Sequence, residues 1–416
     1  MVRKLSKEIM RLREHDLLRM IAALLSGAAI RICDSLLPSM VQIFKVAPGH
    51  AALTVTLFAV TYSLMQLVYG PLGDRFGKPQ LVRLALFGAS AGAAVSALAP
   101  SFDILLAGRF FWGCAGAGVV PLCMAWIGDE IPYAERQGAL AQFLIGTLSG
   151  MALGTLLGGA LVDTVLGWRG AFLVMALAYL FTAMRLTVVL KRPEHVAVSV
   201  AAGAGRSREG RRQAVATSAR MIFAVFQLTW PRVVLLTTFL EGVFLLGPLA
   251  LVPSWLHARF GLSPATAALC ASLYAVGGLV YALVARTIVA RIGEQKMIAS
   301  GTILIGLSLA GIGELPAAIW SVPATFALGF GAYLFHNTLQ VHATQMAPNV
   351  RGTAVSLFTL SLYLGQAVGV MIAGWLIDRI GQGYLGVFFT GAAAIVLVGA
   401  CFLFLLVRRG SQHAVA

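Results

Sequence analysis

The chain has 416 residues, of which 59% are hydrophobic and only 11% charged, and its formal net charge is +15. Soluble globular proteins carry about a quarter charged residues, so this composition excludes a large soluble domain. The basic residues lie between apolar runs and not in a patch interleaved with aromatic residues, which argues against a nucleic-acid partner.

Twelve apolar runs follow one another along the chain. A helix of roughly 20 apolar residues crosses the hydrocarbon core of a bilayer, and each run is about that long. The sequence therefore predicts an all-α membrane protein with a first bundle in residues 1–190, a basic cytoplasmic linker in 191–231 and a second bundle in 232–416. The predicted spans cover residues 19–40, 51–71, 80–99, 104–127, 138–161, 169–190, 232–256, 265–288, 297–314, 319–346, 353–376 and 385–407.

The distribution of Lys and Arg predicts the orientation of the chain. Of the 31 basic residues, 25 fall on the side that carries the two termini and four on the other side, while Arg31 and Arg109 lie inside spans. Cytoplasmic loops carry the excess of Lys and Arg. Both termini are therefore expected in the cytoplasm.

The two halves repeat each other at an offset of 215 or 216 residues. A repeat of six spans gives two bundles related by a pseudo-two-fold axis along the membrane normal, with the substrate site near the midplane between them. The clearest matches are Leu36-Leu37-Pro38-Ser39 with Leu251-Val252-Pro253-Ser254, Arg75-x-Gly77 with Arg291-x-Gly293, and Gly150, Gly154 and Gly159 with Gly365, Gly369 and Gly374.

The loop after the second span reads Gly70-Pro71-Leu72-Gly73-Asp74-Arg75-Phe76-Gly77-Lys78. Glycines there permit a tight turn, and Asp74 can pair with a helix terminus or an arginine. We interpret the loop as one side of a conformational latch that holds one access state. The predicted latch residues are Gly70, Asp74, Arg75, Gly77, Lys78 and Arg136.

This loop resembles motif A of the major facilitator superfamily. Span 4, from Arg109 to Gly118, is similar to motif B of that family, whose arginine is linked to proton coupling. Asp34 and Pro38 are similar to the D-x-x-x-P signature of its twelve-span drug/proton antiporters. The resemblance covers essentially the whole chain and is strongest to bacterial sugar-efflux and drug-efflux permeases. It implies the major facilitator fold and a place in the bacterial cytoplasmic (inner) membrane.

The glycines of span 5 resemble the antiporter motif C, except that Thr155 stands where that motif has proline. Small residues also let membrane helices pack closely whatever the protein does, so packing alone is the alternative interpretation. The residues concerned are Gly150, Gly154, Gly158 and Gly159.

A charged side chain inside a span costs free energy, so each one is expected to have a partner or a function. Arg31 and Asp34 share one face of span 1, and the resemblance places Arg109 on the neighbouring span 4. The hypothesis is that Asp34 binds the coupling proton while Arg31 and Arg109 compete for it; the alternative is a static ion-pair cluster. Glu241 is either a second proton site, a contact for a cationic solute or a packing residue. His336 is either part of a proton relay or a hydrogen-bond donor that lines the cavity.

Further polar side chains in the spans are candidates for lining a substrate cavity. They are Tyr62, Gln66, Gln142, Asn337 and Gln340.

Together these features predict a secondary transporter that works by proton-coupled efflux of a small organic solute or drug. The rival functions are proton symport or facilitated uptake of an anionic or polar metabolite, and, from another class, a lipid flippase or a non-transporting membrane partner. Neither a catalytic set nor a nucleotide loop is recognisable, so an enzyme is not expected. We expect a monomer in the lipid bilayer, with no cofactor and no metal, whose partners are the solute and protons.

Overall fold

The computed structural model describes the backbone at residues 2–131, 133–190, 220–347, 351–380 and 383–415. Inside these ranges its description leaves out the side chains of residues 2–13, 71, 74, 133–138, 141, 351–352 and 410–415. Every regular element in the described ranges is a helix. Helices suit hydrocarbon because each backbone N–H and C=O then bonds within its own segment.

Twelve spans lie in the described part of the chain. Ten helices are long and apolar enough to cross a membrane. One of them, Pro264–Gly313, has 50 residues and holds two spans, because Gly293 breaks it with a φ of 72° and a ψ of 171°. The helix Val2–Arg31, continued by Leu37–Phe44, supplies the remaining span. The predicted all-α, twelve-span fold is confirmed.

The first half holds spans 1 to 6. Span 1 comprises Val2–Arg31 and Leu37–Phe44, and the short helix Pro48–Ala51 leads into span 2, Leu53–Phe76. Spans 3 to 6 are Lys78–Ala97, Phe102–Gly116 with Val119–Glu130, Tyr133–Val162 and Gly167–Leu190.

The second half holds spans 7 to 12. Residues 191–219 of the predicted linker lie outside the described residues, and residues 220–227 form a short helix. Span 7 has three parts, the α-helix Thr229–Glu241, the π-helical segment Gly242–Leu246 and the α-helix Gly247–Phe260. Spans 8 and 9 share Pro264–Gly313, and spans 10 to 12 are Ser321–Gln345, Arg351–Arg379 and Gly383–Val415.

Glycines bring equivalent spans together in the two halves. A methyl group on Gly150 or Gly154 would overlap the carbonyl oxygens of Leu24 and Ala28, so spans 1 and 5 touch backbone to backbone. The repeat-related Gly365 and Gly369 meet the carbonyl oxygens of Phe239 and Val243 in the same way, which joins spans 7 and 11. Gly158 likewise lies against Ser35 and the Ile32 carbonyl of span 1.

A second pair of repeat-related glycines ends span 2 and span 8. Gly77 has a φ of 84° and Gly293 a φ of 72°, values that only glycine adopts without strain. The next span starts directly after each of them. The offset between the two residues is the 216 residues predicted from the repeat.

The halves meet mainly at the membrane face opposite the termini, which we call the opposite face; the other is the termini face. There the N–H of Gly49 donates to Asp378 Oδ1 at 2.9 Å. A methyl group on Gly374 would overlap Gly49, and one on Gly159 would overlap Ala268. The buried core of the first half also takes in side chains from this end of the second half, namely Ala250, Leu251, Val370, Ala373 and Val387.

The glycine contacts generate a prediction for stability. Gly154→Ala places a methyl group against the Ala28 carbonyl, and overpacking of this kind costs about 1–3 kcal/mol. Gly128→Ala is the matched control, because Gly128 is also helical and has open space where the methyl group would go. Thermal unfolding of the purified protein should show a lower melting temperature for Gly154→Ala alone. Equal melting temperatures for the two variants would contradict the close packing of spans 1 and 5.

Candidate functional site

A break in span 1 creates the centre of the site. The first helix ends at Arg31, a turn follows through residues 32–36, and the second helix starts at Leu37 with Pro38 in its first turn. Proline has no N–H to donate and disfavours helical geometry in the residue before it, which suits a helix start here. The break places Arg31 and Asp34 at opposite ends of one turn, deep in the span.

Arg31 and Asp34 form a buried ion pair. Arg31 Nη1 donates to Asp34 Oδ2 at 3.1 Å, and the two residues are 4% and 2% exposed. The other carboxylate oxygen, Oδ1, is buried and has no hydrogen-bond partner among the described residues. Half of the carboxylate is therefore available to a donor that enters from outside the pair.

The ion pair borders a small cavity between the two halves. The cavity and the open space at its mouth together contain about 290 Å³ not filled by atoms. The first half contributes span 1 and span 5, and the second half contributes span 7 and span 8. The lining residues are Arg31, Asp34, Met151, Ala152, Thr155, Leu249, Pro253, Ala271, Ser272, Tyr274 and Ala275.

Arg109, a residue of span 4, forms hydrogen bonds with the backbone next to the break in span 1. Its guanidinium is fully buried and donates to the Ala29 carbonyl oxygen from Nη1 and Nη2 at 3.4 and 3.3 Å, and to the Thr54 carbonyl oxygen from Nε at 3.1 Å. It also lies over the rings of Phe58 and Trp112, with Cζ at 4.0 and 4.9 Å from the centroids. In this state Arg109 bonds backbone carbonyls, and its predicted competition for Asp34 stays a prediction.

Glu241 and His336 form a second buried charged group, in the second half. His336 Nδ1 lies 3.1 Å from both carboxylate oxygens of Glu241. Glu241 is the last residue before the π-helical segment of span 7, and π-helical turns inside α-helices are frequent at functional sites. The two side chains join span 7 to span 10.

A chain of tyrosines connects the two charged groups. Arg31 Cζ lies 5.8 Å from the ring centroid of Tyr274, whose ring is 6.2 Å from that of Tyr333. The ring of Tyr333 is in turn 6.3 Å from that of His336. The sequence analysis did not single out either tyrosine, because aromatic residues at helical spacing are ordinarily packing residues.

The predicted cavity residues divide into two groups in space. Tyr62 lies at the centre, where its hydroxyl is 3.1 Å from Ser26 Oγ and its ring meets that of Tyr363 edge to face at 5.4 Å across the halves. Gln66, one turn further along span 2, is 5% exposed. Gln142 instead lines a cleft with Asp16 and Arg19 near the termini face.

The two cavity candidates of span 10 have different surroundings. Asn337 Nδ2 donates to the hydroxyl of Tyr281 at 3.0 Å, which ties span 10 to span 8. Gln340 is half-buried one turn beyond His336. This hydrogen bond of Asn337 joins two spans of the same bundle and does not cross between the halves.

Gln366 of span 11 is a polar residue that the sequence analysis missed. It is 1% exposed, and both atoms of its side-chain amide are buried without a hydrogen-bond partner in the described structure. A buried polar atom without a partner is costly, so Gln366 is a candidate for binding water or solute. The available signal was a glutamine inside an otherwise apolar run, three residues after Tyr363.

The latch residues lie on the termini face. Lys78 Nζ forms an ion pair with Asp129, which joins the start of span 3 to the end of span 4. Gly70 has open space around it, and the Arg75 guanidinium lies over the ring of Phe76 with Cζ 4.5 Å from its centroid. The predicted roles of Asp74 and Arg136 concern side chains outside the described residues.

The second half has a related contact at the same face. Glu294 Oε1 lies 2.5 Å from Nε2 of His342, which joins the start of span 9 to the end of span 10. The order of acid and base is exchanged relative to Lys78 and Asp129, since the acid now follows the glycine turn. Among the described residues, no group of three His, Cys, Asp or Glu side chains is arranged to hold a metal ion.

Comparison with known proteins identifies the family. The family model described as Major Facilitator Superfamily matches residues 19–370 and again residues 234–415. The chain belongs to the major facilitator superfamily. It is thus an integral membrane transporter, and the predicted family resemblance is confirmed.

Relatives and solved structures agree with this membership. An uncharacterised MFS-type transporter of Bacillus subtilis, YceJ, is 23% identical over 350 residues, which cover 84% of this chain and 86% of that protein. The inner membrane transport protein YnfM of Escherichia coli is also 23% identical, over 91% of this chain and 87% of its own. A crystal structure of a D-xylose–proton symporter superposes with a TM-score of 0.72 at 16% identity, over 94% of this chain and 97% of its own, which shows a shared fold.

The buried pair generates a prediction for a double-mutant cycle. Arg31→Gln leaves the Asp34 carboxylate buried and unpaired, which costs about 3–5 kcal/mol in buried ion pairs. The double variant Arg31→Gln with Asp34→Asn removes both charges and should recover much of this loss, as read from thermal unfolding. Arg185→Gln is the control, because its pair with Glu14 is half exposed and worth about 1 kcal/mol or less. A double variant no more stable than Arg31→Gln would contradict the pairing.

Proposed function

We propose that the chain exports a small organic solute from the cytoplasm in exchange for protons, with Asp34 as the proton-binding carboxylate. The observation that supports this proposal is the hydrogen bonding of the two carboxylate oxygens of Asp34. One oxygen is bonded to Arg31 and the other is unpaired, at a cavity between two halves that move relative to each other in alternating access.

The mechanism follows from competition for one carboxylate. When Asp34 is ionised, its free oxygen accepts a hydrogen bond from an N–H or O–H of the solute. A proton on the free oxygen Oδ1 neutralises the group, weakens its pairing with Arg31 and turns that oxygen into a donor, so the N–H or O–H of the solute no longer finds a charged acceptor there. Solute and proton then exclude each other from the site, and exclusive binding in a cavity with alternating access produces exchange.

Arg109 holds the geometry that this competition requires. Its bonds to the Ala29 and Thr54 carbonyls fix the end of the first helix of span 1 against span 2. Arg31 follows Ala29 by two residues. A change in the protonation of Asp34 is therefore transmitted to the contact between spans 1, 2 and 4.

The proposed orientation places both termini and the linker in the cytoplasm of a bacterial cell. The excess of basic residues on the termini face supports it. The printed name of the Escherichia coli relative, an inner membrane transport protein, supports the location. In this orientation the halves meet on the periplasmic side, and Lys78 with Asp129 belongs to a cytoplasmic latch in a monomeric transporter.

One observation favours a second candidate, proton-coupled uptake of an anionic metabolite. Arg31 borders the cavity, and a proton on Asp34 would release its guanidinium for a carboxylate of the solute. Proton and solute would then bind together and move in the same direction. The solved neighbour whose description is a D-xylose–proton symporter shows that this fold accommodates such coupling.

Transport assays on everted membrane vesicles test the proposal. After a pH gradient, acid inside, is imposed, a panel of small cationic, neutral and anionic solutes is added and the gradient is followed with a pH-sensitive dye. A transported solute should collapse the gradient in wild-type vesicles, because protons leave the lumen as each solute molecule enters it. Asp34→Asn should slow this collapse at least about tenfold, which corresponds to about 1.4 kcal/mol in the barrier.

Asp163→Asn is the matched control, since Asp163 is an exposed carboxylate at the end of span 5. It should leave the collapse unchanged. Solute movement in the same direction as the protons would establish the second candidate instead. Undiminished collapse with Asp34→Asn would remove Asp34 from the coupling.

A further inference from the structure

Glu241 is a carboxylate that the second half has and the first half lacks. The residue 215 positions earlier is Ser26, a neutral side chain whose Oγ lies 3.1 Å from the hydroxyl of Tyr62. Glu241 is 1% exposed in the middle of span 7. Such a charge at this depth costs several kcal/mol unless a partner or a proton compensates it.

The partner, His336, leaves one nitrogen free for a further proton. With Glu241 ionised, Nδ1 carries the hydrogen and donates it to the carboxylate, 3.1 Å from either oxygen. Nε2 then holds a lone pair. The His336 side chain is 20% exposed whereas that of Glu241 is 2% exposed, so the imidazole is the member of the pair that a proton can reach.

The described residues that pack around the pair are neutral side chains. Span 8 presents Tyr274, span 10 presents Tyr333, and span 11 presents the ring of Phe358, 5.3 Å from that of His336. A cation, Arg31 of span 1, lies beyond them and is separated from His336 by the rings of the two tyrosines. Since like charges repel, a protonated His336 is favoured in whichever access state separates Arg31 from it.

We propose that the Glu241–His336 pair is a second proton-binding site, located in the second half and separate from Asp34. The proton binds the lone pair of His336 Nε2, and the charge of the pair changes from −1 to zero without any other bond being broken. The path from Arg31 to His336 crosses the boundary between the halves, so their relative movement alters the repulsion and links this proton to the access state.

The consequence for transport is that two protons are carried in each cycle, one bound in each half. This count rests on the proposed function, whereas proton binding at the pair does not. The two sites also differ in chemistry, because Asp34 is paired with a permanent cation and Glu241 with a titratable base. Exchange of two protons for one solute makes the cycle sensitive to membrane potential for any solute that carries less than two positive charges.

Charge displacement after a pH jump tests the proposal with protons as the only ligand. Proteoliposomes that contain the full chain are adsorbed on a sensor electrode and moved from about pH 8 to about pH 6, a range that brackets the ordinary pKa of histidine. The wild type should displace charge without any solute present. His336→Gln, which removes the nitrogen that binds the proton, and Asp34→Asn should each reduce the displaced charge about twofold, and the double variant should abolish it.

Glu314→Gln and Asp163→Asn are the matched controls, because both carboxylates are exposed and lie at the ends of spans 9 and 5, outside the two proposed proton sites. Both controls should displace as much charge as the wild type. If Asp34→Asn abolished the signal and His336→Gln left it unchanged, the second site would be refuted and the proposed function would stand. The reverse result would retain the second site and refute the role of Asp34.

A second measurement does not depend on the folding of any carboxylate variant. The chain has seven histidines, and ¹⁵N-labelled histidine spectra of the wild type, assigned with His336→Gln, follow the state of each ring between about pH 5 and about pH 9. The His336 resonance should titrate in this range. A ring that keeps one protonation state throughout would overturn the proposal.

Discussion

The arrangement of the site depends on one constraint, which is that a helix ending inside a membrane leaves carbonyl oxygens without partners. The first helix of span 1 ends at Arg31, and the carbonyl of Ala29 is among the last four. No water is available there in the hydrocarbon, so a side chain must supply the missing donor. Arg109 does so from span 4, and its positive charge also suits the negative end of the helix dipole.

The consequences of this contact extend over the first half. Because the helix end is secured, the turn that follows it is fixed, and Arg31 can pair with Asp34 at its far end. Span 5 supports the same turn from the other side, since Ser35 Oγ donates to the Thr155 carbonyl at 2.9 Å and Gly158 lies against Ile32. A buried ion pair contributes little to stability by itself. Its position at the boundary between the halves is therefore better understood through transport.

The sequence predicts the fold almost completely but only part of the site. Span number, the repeat and the glycine contacts follow from the length of apolar runs and from matches such as Gly154 with Gly369, because hydrocarbon thickness and close packing leave few alternatives. The rotation of each helix about its own axis is set by packing against its neighbours, and the sequence does not encode it locally. For this reason the tyrosine chain, the unpaired amide of Gln366 and the carbonyl bonds of Arg109 emerged only from the structure. The π-helical segment after Glu241 carries no recognisable sequence signal.

The glycine contacts on the opposite face have a consequence for the speed of the transport cycle. Gly159 and Gly374 contribute no side chain to the seal between the halves, and the hydrogen bond from Gly49 to Asp378 is exposed. Where the backbones meet at Gly159 and Gly374, opening requires no rotamer change, which lowers the barrier, whereas exposure of Leu251, Val370 and Val387 to water favours the closed form. The seal therefore combines a low barrier to opening with a preference for the closed form, and binding of the cargo is what can offset that preference.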